Sequence, residues 1–525
     1  MAASVMPDRP ALRPAPDRRT SPLPTSFTLH PAASTVQLDD GGVVLGGSPL
    51  RLFRISARAQ RLLEGWRAGH VVGDRQGARL LARRLVSSGA WLPRPTTSEL
   101  HQDDVTVVIP VRDRAAQLDR LLHALSGLAC VVVDDASADA AANKEIAERH
   151  GARFVALASN CGPAAARNAG LAAVHTPLVA FVDSDCVPTP GWLDPLLGHF
   201  DDPVVGAVAP RVVPAPRQQR DDDPSDPVQA YEALRSSLDR GTAEGLVRRG
   251  TAIPYVPSAA LVVRVAVVSG PELFDATLRG GEDVDLVWRL GDAGWDVRYV
   301  PASTVEHDGP ATLSDFLARR TFYGTSAAPL SRRHPGTLAP LDVSGWSLAV
   351  WLLAATRRPL LAGATLAVSI GLLADRLRGL TRDPVAVATR IAGDGTVRAA
   401  VPALSGVVRT WSPVLVAGLA FKRTRRAAAL ALLVPALADW RKDKDRKDTE
   451  NGADLRPGPY VALHIADDAA YGAGVWLGCA RERTVAPLVP RVSFRARVWS
   501  AQSLRDSLRQ QGHEGEGAEA PVTPG

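Results

Sequence analysis

The chain has 525 residues, 46% hydrophobic and 22% charged, with a net charge of +6; that is length for roughly two to four domains and composition enough to bury their cores. Aromatic residues make up only 5%. This excludes a nucleic-acid surface built on stacking platforms and leaves anionic small molecules or an anionic membrane face as fitting partners.

Residues 1–25 are rich in proline and arginine and lack the apolar core of a secretory signal, so they read as a disordered leader. Cys130, Cys161, Cys186 and Cys479 lack metal-knuckle spacing, so a reduced, cytoplasmic protein is expected rather than a disulfide framework. Residues 26–97 read as a small winged-helix-like module. VQLDDGGVVLGGSPLRLFRIS suggests a hairpin turning at Asp40-Gly41-Gly42, and two amphipathic helices follow. The module is either a peptide-binding unit or a plain packing accessory.

Residues 98–335 alternate apolar strands with helices. VTVVIPV, CVVVDD, RFVALA and LVAFVDSD are strands, separated by RDRAAQLDRLLHALSG, ADAAANKEIAERHG and GPAAARNAGLAAVH as helices. The rhythm predicts βαβ units, a parallel sheet and an α/β fold. Residues 336–500 form an apolar helical region whose stretches are each shorter than the roughly 20 residues that span a membrane. Buried core helices and helices lying in the inner face of the cell membrane, arginines at the headgroups, are both open. RKDKDRKDTEN (441–451) reads as a solvated loop, AYGAGVWLGCARER as a close-packed helix, and 501–525 as a disordered tail.

The chemistry gathers where strands end, the ligand side of an open α/β sheet. Asp183 and Asp185 follow the run LVAFV. At strand spacing they would share one face, a natural seat for a hard divalent cation bridging to phosphate. Pro110 and Arg112 end the first strand. Asp134 and Asp135 end the second, where a carboxylate could accept from a base edge or ribose, or cap the next helix. Asn160 and Arg167 flank a helix opened by Gly162-Pro163, with Arg167 aimed at base or phosphate or simply at solvent. Glu282 and Asp283 start a helix after Gly280-Gly281, as dipole-favoured acids or as a general base. His307 follows the last sheet strand, structural or metal-bound.

VVVDDAS, NCGPAAARNAG, FVDSD and GEDVDLVWRL, in this order, resemble the family 2 glycosyltransferases of the GT-A fold over about residues 104–325. The N-terminal module, the segment SAALVVRVAVV and the C-terminal AAYGAGVWLGCARERTVAPLVPR together are similar to the branch of that family that acts in mycofactocin biosynthesis. The resemblance implies an inverting, metal-dependent (Mg or Mn) transfer of a sugar from a nucleotide-diphosphate sugar. The closer branch implies glucose from UDP-glucose, an acceptor hydroxyl on a small peptide-derived redox-cofactor precursor, and a growing β-glucan chain. Carried onto this sequence, Asp134 reads the base and Asp183 lies near ribose and metal. Asp185 is the main metal ligand with His307 beside it, Asp283 is the base and Glu282 places the acceptor. A cell-envelope polysaccharide or lipid acceptor is the alternative. FLARRTFYGTS stands where processive synthases carry Gln-x-x-Arg-Trp, which argues against a cellulose- or hyaluronan-type synthase. Nucleotidyl transfer would need a glycine-rich loop after the first strand, and IPVRDRAAQ has none. A non-catalytic scaffold would not need the full acid set.

Overall fold

The buried apolar runs become one nine-stranded mixed sheet. Its order is Cys186–Pro188, Asp296–His307, Val205–Pro214, Ala260–Arg264, Leu178–Val182, Val105–Val111, Ala129–Asp134 and Arg153–Ala156. Gly245–Val247 pairs beside Asp296–His307. Val105–Val111 and Leu178–Val182 are buried at every position because the sheet is covered on both faces. Strand alternation then splits neighbours between two cores: Val107 and Ile109 join one, Val108 the other.

The four N-terminal strands of the sheet pair in parallel, as the βαβ rhythm predicts. The wholly parallel sheet is corrected further along. Ala260–Arg264 runs antiparallel to both Leu178–Val182 and Val205–Pro214. Antiparallel neighbours need no crossover helix; between Val205–Pro214 and Ala260–Arg264 lie the helix Pro227–Arg235 and the short strand Gly245–Val247.

The structure, a computed structural model, describes residues 9–18, 20–215, 226–447 and 455–494. The supposed disordered leader is therefore corrected where it is described. Arg13 N–H donates to Val267 O at 2.9 Å, Ala15 N–H to Ala293 O at 2.8 Å, and Trp295 Nε1 to Arg13 O at 2.7 Å. Leu12 and Ala15 pack on the second core and Leu23 is fully buried. Prolines already restrict this segment, so ordering it along the domain costs little entropy. The tail 501–525 lies outside the described residues.

The N-terminal module holds the expected hairpin and two helices, Ala57–Arg67 and Gln76–Ser87, between two small sheets. Its likeness to a winged helix goes no further than that. The module is fastened to the α/β domain: buried Arg83 forks onto Asp202 at 2.8 and 2.6 Å, and Asp202 also takes Arg298.

The C-terminal helices are longer than their apolar stretches suggest. Pro359–Leu377 and Pro384–Gly418 span 19 and 35 residues, long and apolar enough by length and composition to cross a membrane, and 17% of each apolar window is buried in the fold. Isolated arginines and Gly-Asp steps do not end these helices; a π-turn at Thr389–Asp394 carries the chain through. The charge run expected as a loop is helical as far as Lys447, within Arg425–Lys447, since Lys and Arg are good helix formers. Pro457–Glu482 is the predicted close-packed helix. A Cβ on its Gly474 would lie 2.0 Å from Thr321 O, and one on Gly478 2.5 Å from Thr325 O. The facing helix, Leu313–Thr325, answers with Gly324, where a Cβ would lie 2.2 Å from Tyr471 O.

Candidate active site

The strand Leu178–Val182 ends one residue before the acids. Cys186 N–H bonds back to Asp183 O at 3.0 Å, closing a turn that carries Asp183 and Asp185. Strand alternation stops at Val182, so a turn rather than the strand sets the two carboxylates, which still lie close enough for the charge of Asp185 to help raise Asp183. Among the described residues, no three His, Cys, Asp or Glu side chains converge as a metal cluster.

Asp185 belongs to the seam between Cys186–Pro188 and Asp296–His307, where Cys186 stands opposite His307. Asp308 N–H donates to Asp185 O at 3.0 Å. His307 Nε2 is 3.6 Å from Asp185 Oδ2, and the Arg114 guanidinium hydrogen-bonds the same oxygen. Burial pushes the Asp185 carboxyl up, but His307, Arg114 and Arg319 outweigh it and hold it below the usual range. Burial also lowers His307, and Arg319 adds to that against the pull of Asp185.

Asp183 turns the other way. Arg167, buried on Pro163–Leu171, donates from Nη2 to Asp183 Oδ1 at 2.6 Å and from Nη1 to Glu282 Oε1 at 2.9 Å. Its guanidinium lies over Phe274, 5.3 Å from the ring centre. Arg167 is therefore neither solvent-facing nor free for phosphate; it is the clamp between two acids. Burial still raises the Asp183 carboxyl, despite Arg167.

Glu282 and Asp283 open the helix Glu282–Asp292. Gly281 precedes it at φ +80°, and a Cβ there would meet Leu330 Cδ1 at 2.8 Å. Only glycine suits both demands. Asp283 Oδ1 accepts Val284 N–H at 2.7 Å, and its carboxyl makes no ion pair with Arg167. Burial, then the charge of Glu282, pushes its pKa up to about 7. Asp285, by contrast, is an anchor, accepting from Arg289 at 2.6 Å and lying 2.8 Å from His334 Nε2.

The remaining sequence candidates scatter. Asp134 is fully buried, accepting Ser137 N–H at 2.8 Å and Asn143 Nδ2 at 2.7 Å. Asp135 accepts Cys161 N–H at 2.7 Å and Gly162 N–H at 2.9 Å. Both shape loops, and neither caps the following helix, whose N-cap is Asp139. Pro110 is buried within its strand, whereas Arg112 and Asn160 are exposed at the rim. Arg320 is buried on Glu232 and Asp467, while Arg319 and Tyr323, on Leu313–Thr325, line a crevice with His307.

Arg114 rather than Arg112 meets the acids: Asp113 between them sits at φ +53°, a backbone that Asp tolerates better than most residues, and it sends the two arginines different ways.

Comparison with known proteins places this geometry. Residues 106–267 match the family described as glycosyl transferase family 2. Over 478 residues the chain is 41% identical to the pre-mycofactocin glycosyltransferase of two Mycobacterium tuberculosis strains, covering 90% of this chain and 98% of that one. A shorter likeness, 37% over 100 residues, joins 19% of this chain to 44% of an uncharacterized glycosyltransferase of Mycobacterium bovis. A solved mannosyltransferase of Pyrobaculum calidifontis, in complex with GDP-Man and Mn2+, aligns over 68% of this chain and 92% of that one at 18% identity, with a TM-score of 0.33, too loose to argue from. The near end-to-end identity settles kinship: this chain belongs to the family 2 glycosyltransferases of GT-A fold, in the group of the pre-mycofactocin glycosyltransferases.

Proposed function

We propose that this glycosyltransferase moves glucose from a nucleotide-diphosphate sugar to a hydroxyl of pre-mycofactocin, and then to the growing β-glucan, with inversion. The observation that carries the mechanism is the division of labour between adjacent acids. Arg167 ties down Glu282, while Asp283 has no such partner and holds its proton up to about pH 7. A carboxylate with that proton affinity is tuned to take a proton from an attacking hydroxyl near neutrality. Glu282, fixed by Arg167, positions the acceptor. Arg167 keeps Asp183 and Glu282 from repelling across the crevice.

Asp185 offers a hard oxygen donor with His307 beside it, and Asp183, held by Arg167, carries its charge close by. This small donor set suits a cation that keeps water and phosphate oxygens in its shell. Such an Mg2+ or Mn2+ ion, held chiefly by Asp185, would supply charge neutralisation at the leaving diphosphate. Arg319 and Tyr323 face the same crevice and fit contacts to donor or acceptor oxygens.

We further propose that the C-terminal helices rest on the inner face of the cell membrane. Leu360, Val397 and Leu430 are 88%, 70% and 62% exposed, and Arg357, Arg358, Lys422 and Arg423 flank these helices. Apolar faces edged by cations match an anionic bilayer surface.

The test is to incubate the full chain with pre-mycofactocin and UDP-glucose, GDP-mannose or UDP-galactose and to weigh the products. One or more added hexoses is expected, with UDP-glucose the best donor. Full transfer by both Asp185→Ala and Asp283→Ala would refute the mechanism.

A further inference from the structure

We infer that Arg114 stands in for the cation: it holds Asp185 while the donor is absent and must leave before Asp185 can take a metal, so that metal and donor load together. The inference rests on the reading above that Asp185 binds a divalent ion. Three observations carry it.

First, the Arg114 guanidinium occupies Oδ2 of Asp185, the oxygen that also faces His307. A cation approaching that oxygen meets a fixed positive charge. Second, the root of Arg114 is built in. Asp113, at φ +53°, donates its N–H to Ser137 Oγ at 2.9 Å and accepts Ala138 N–H on Oδ1 at 2.7 Å. The loops after the first two strands therefore hold each other and aim Arg114 at the acid. The tip is not built in, since the Arg114 side chain is 38% exposed against 11% for Asp185. It can swing while the carboxylate stays. Third, among the described residues no third ligand completes a metal cluster. A lone ion would thus exchange one ion pair for a poor site.

A nucleotide diphosphate changes both sides of that exchange. It brings oxygens for the ion, and its charge gives the displaced guanidinium a planar, bidentate partner. Coupling of this kind is reciprocal, so nucleotide must tighten metal binding by the factor that metal tightens nucleotide binding.

The test is calorimetric titration of Mn2+ into the full-length wild type, R114Q, R114K and D185N, each without nucleotide and with UDP or GDP. Without nucleotide, R114Q is expected to bind Mn2+ at least about tenfold tighter than wild type, about 1.4 kcal/mol. R114K, which keeps the charge, stays near wild type, and D185N loses the site. With nucleotide the gap between wild type and R114Q closes. If R114Q binds within twofold of wild type while D185N abolishes binding, the inference fails and the metal site stands. If D185N binds Mn2+ as wild type does, or no variant binds it under any condition, the metal reading and the inference fall together.

Discussion

Asp283 binds its proton about 3 pH units more tightly than the ordinary carboxyl value of 3.8, reaching about 7. Two consequences follow with opposite signs. Transfer needs the deprotonated base, so the rate should climb as pH rises through about 7 and level off above it. Asp283→Asn should lower kcat by about 10²–10⁴-fold and erase that limb, with nucleotide affinity unchanged by calorimetry. Stability runs the other way. Between pH 3.8 and about 7 the folded chain keeps a proton that the unfolded chain has lost, so stability falls as pH rises through that window. Asp283→Asn should therefore raise the melting temperature at pH 8 and leave it nearly unchanged at pH 4. Arg167 poses the complementary case. Arg167→Met would strand buried Glu282 and part-exposed Asp183, a loss of at most about 3–5 kcal/mol at pH 8. Urea unfolding at pH 5 should show a smaller loss, because Asp183, already raised by burial, then takes up a proton. The sequence singled out both residues. It could not distinguish a free acid from a clamped one, since the clamp joins positions 115 residues apart.

At the level of elements, legibility followed periodicity. VTVVIPV and LVAFV read as buried strands because continuous apolar runs of that length fit a sheet covered on both faces. The turn that carries Asp183 and Asp185 was not legible, because the strand's last residue decides whether alternation still applies and no local signal marks Val182 as that end. The helix Pro457–Glu482 was legible through its glycines, which have no other use at such density. Their role can be tested. Gly474→Val places its Cβ against backbone rather than a yielding side chain, so the helices must part. We expect a loss of about 1–3 kcal/mol and reduced transfer, since Arg319 and Tyr323 ride on the facing helix. Gly371→Ala, whose Cβ meets nothing within 4 Å, should gain about 0.5–1 kcal/mol in the same thermal assay.

Across the whole molecule, composition argued against a nucleic-acid surface of stacking platforms but did not decide between buried and surface-lying helices. The reason is that hydropathy is summed along the chain, whereas exposure depends on how many neighbours each helix finds. Leu360 and Leu430 find few. In flotation with phosphatidylglycerol vesicles the full chain should rise with the lipid, and the double variant Leu360→Glu, Leu430→Glu should stay largely in the soluble fraction while retaining transfer to soluble acceptor. Equal flotation of both would place the contact elsewhere.

The crossing at Gly324, Gly474 and Gly478 bears on that last picture. Backbone rests on backbone there, with no side-chain cushion to slide or compress. Pro457–Glu482 and the helix that lines the crevice then behave as one beam with no joint. If the apolar helices packed against Pro457–Glu482 rest on lipid as proposed, a tilt imposed there would carry through to the mouth of the site, and that mouth would keep one bearing above the surface.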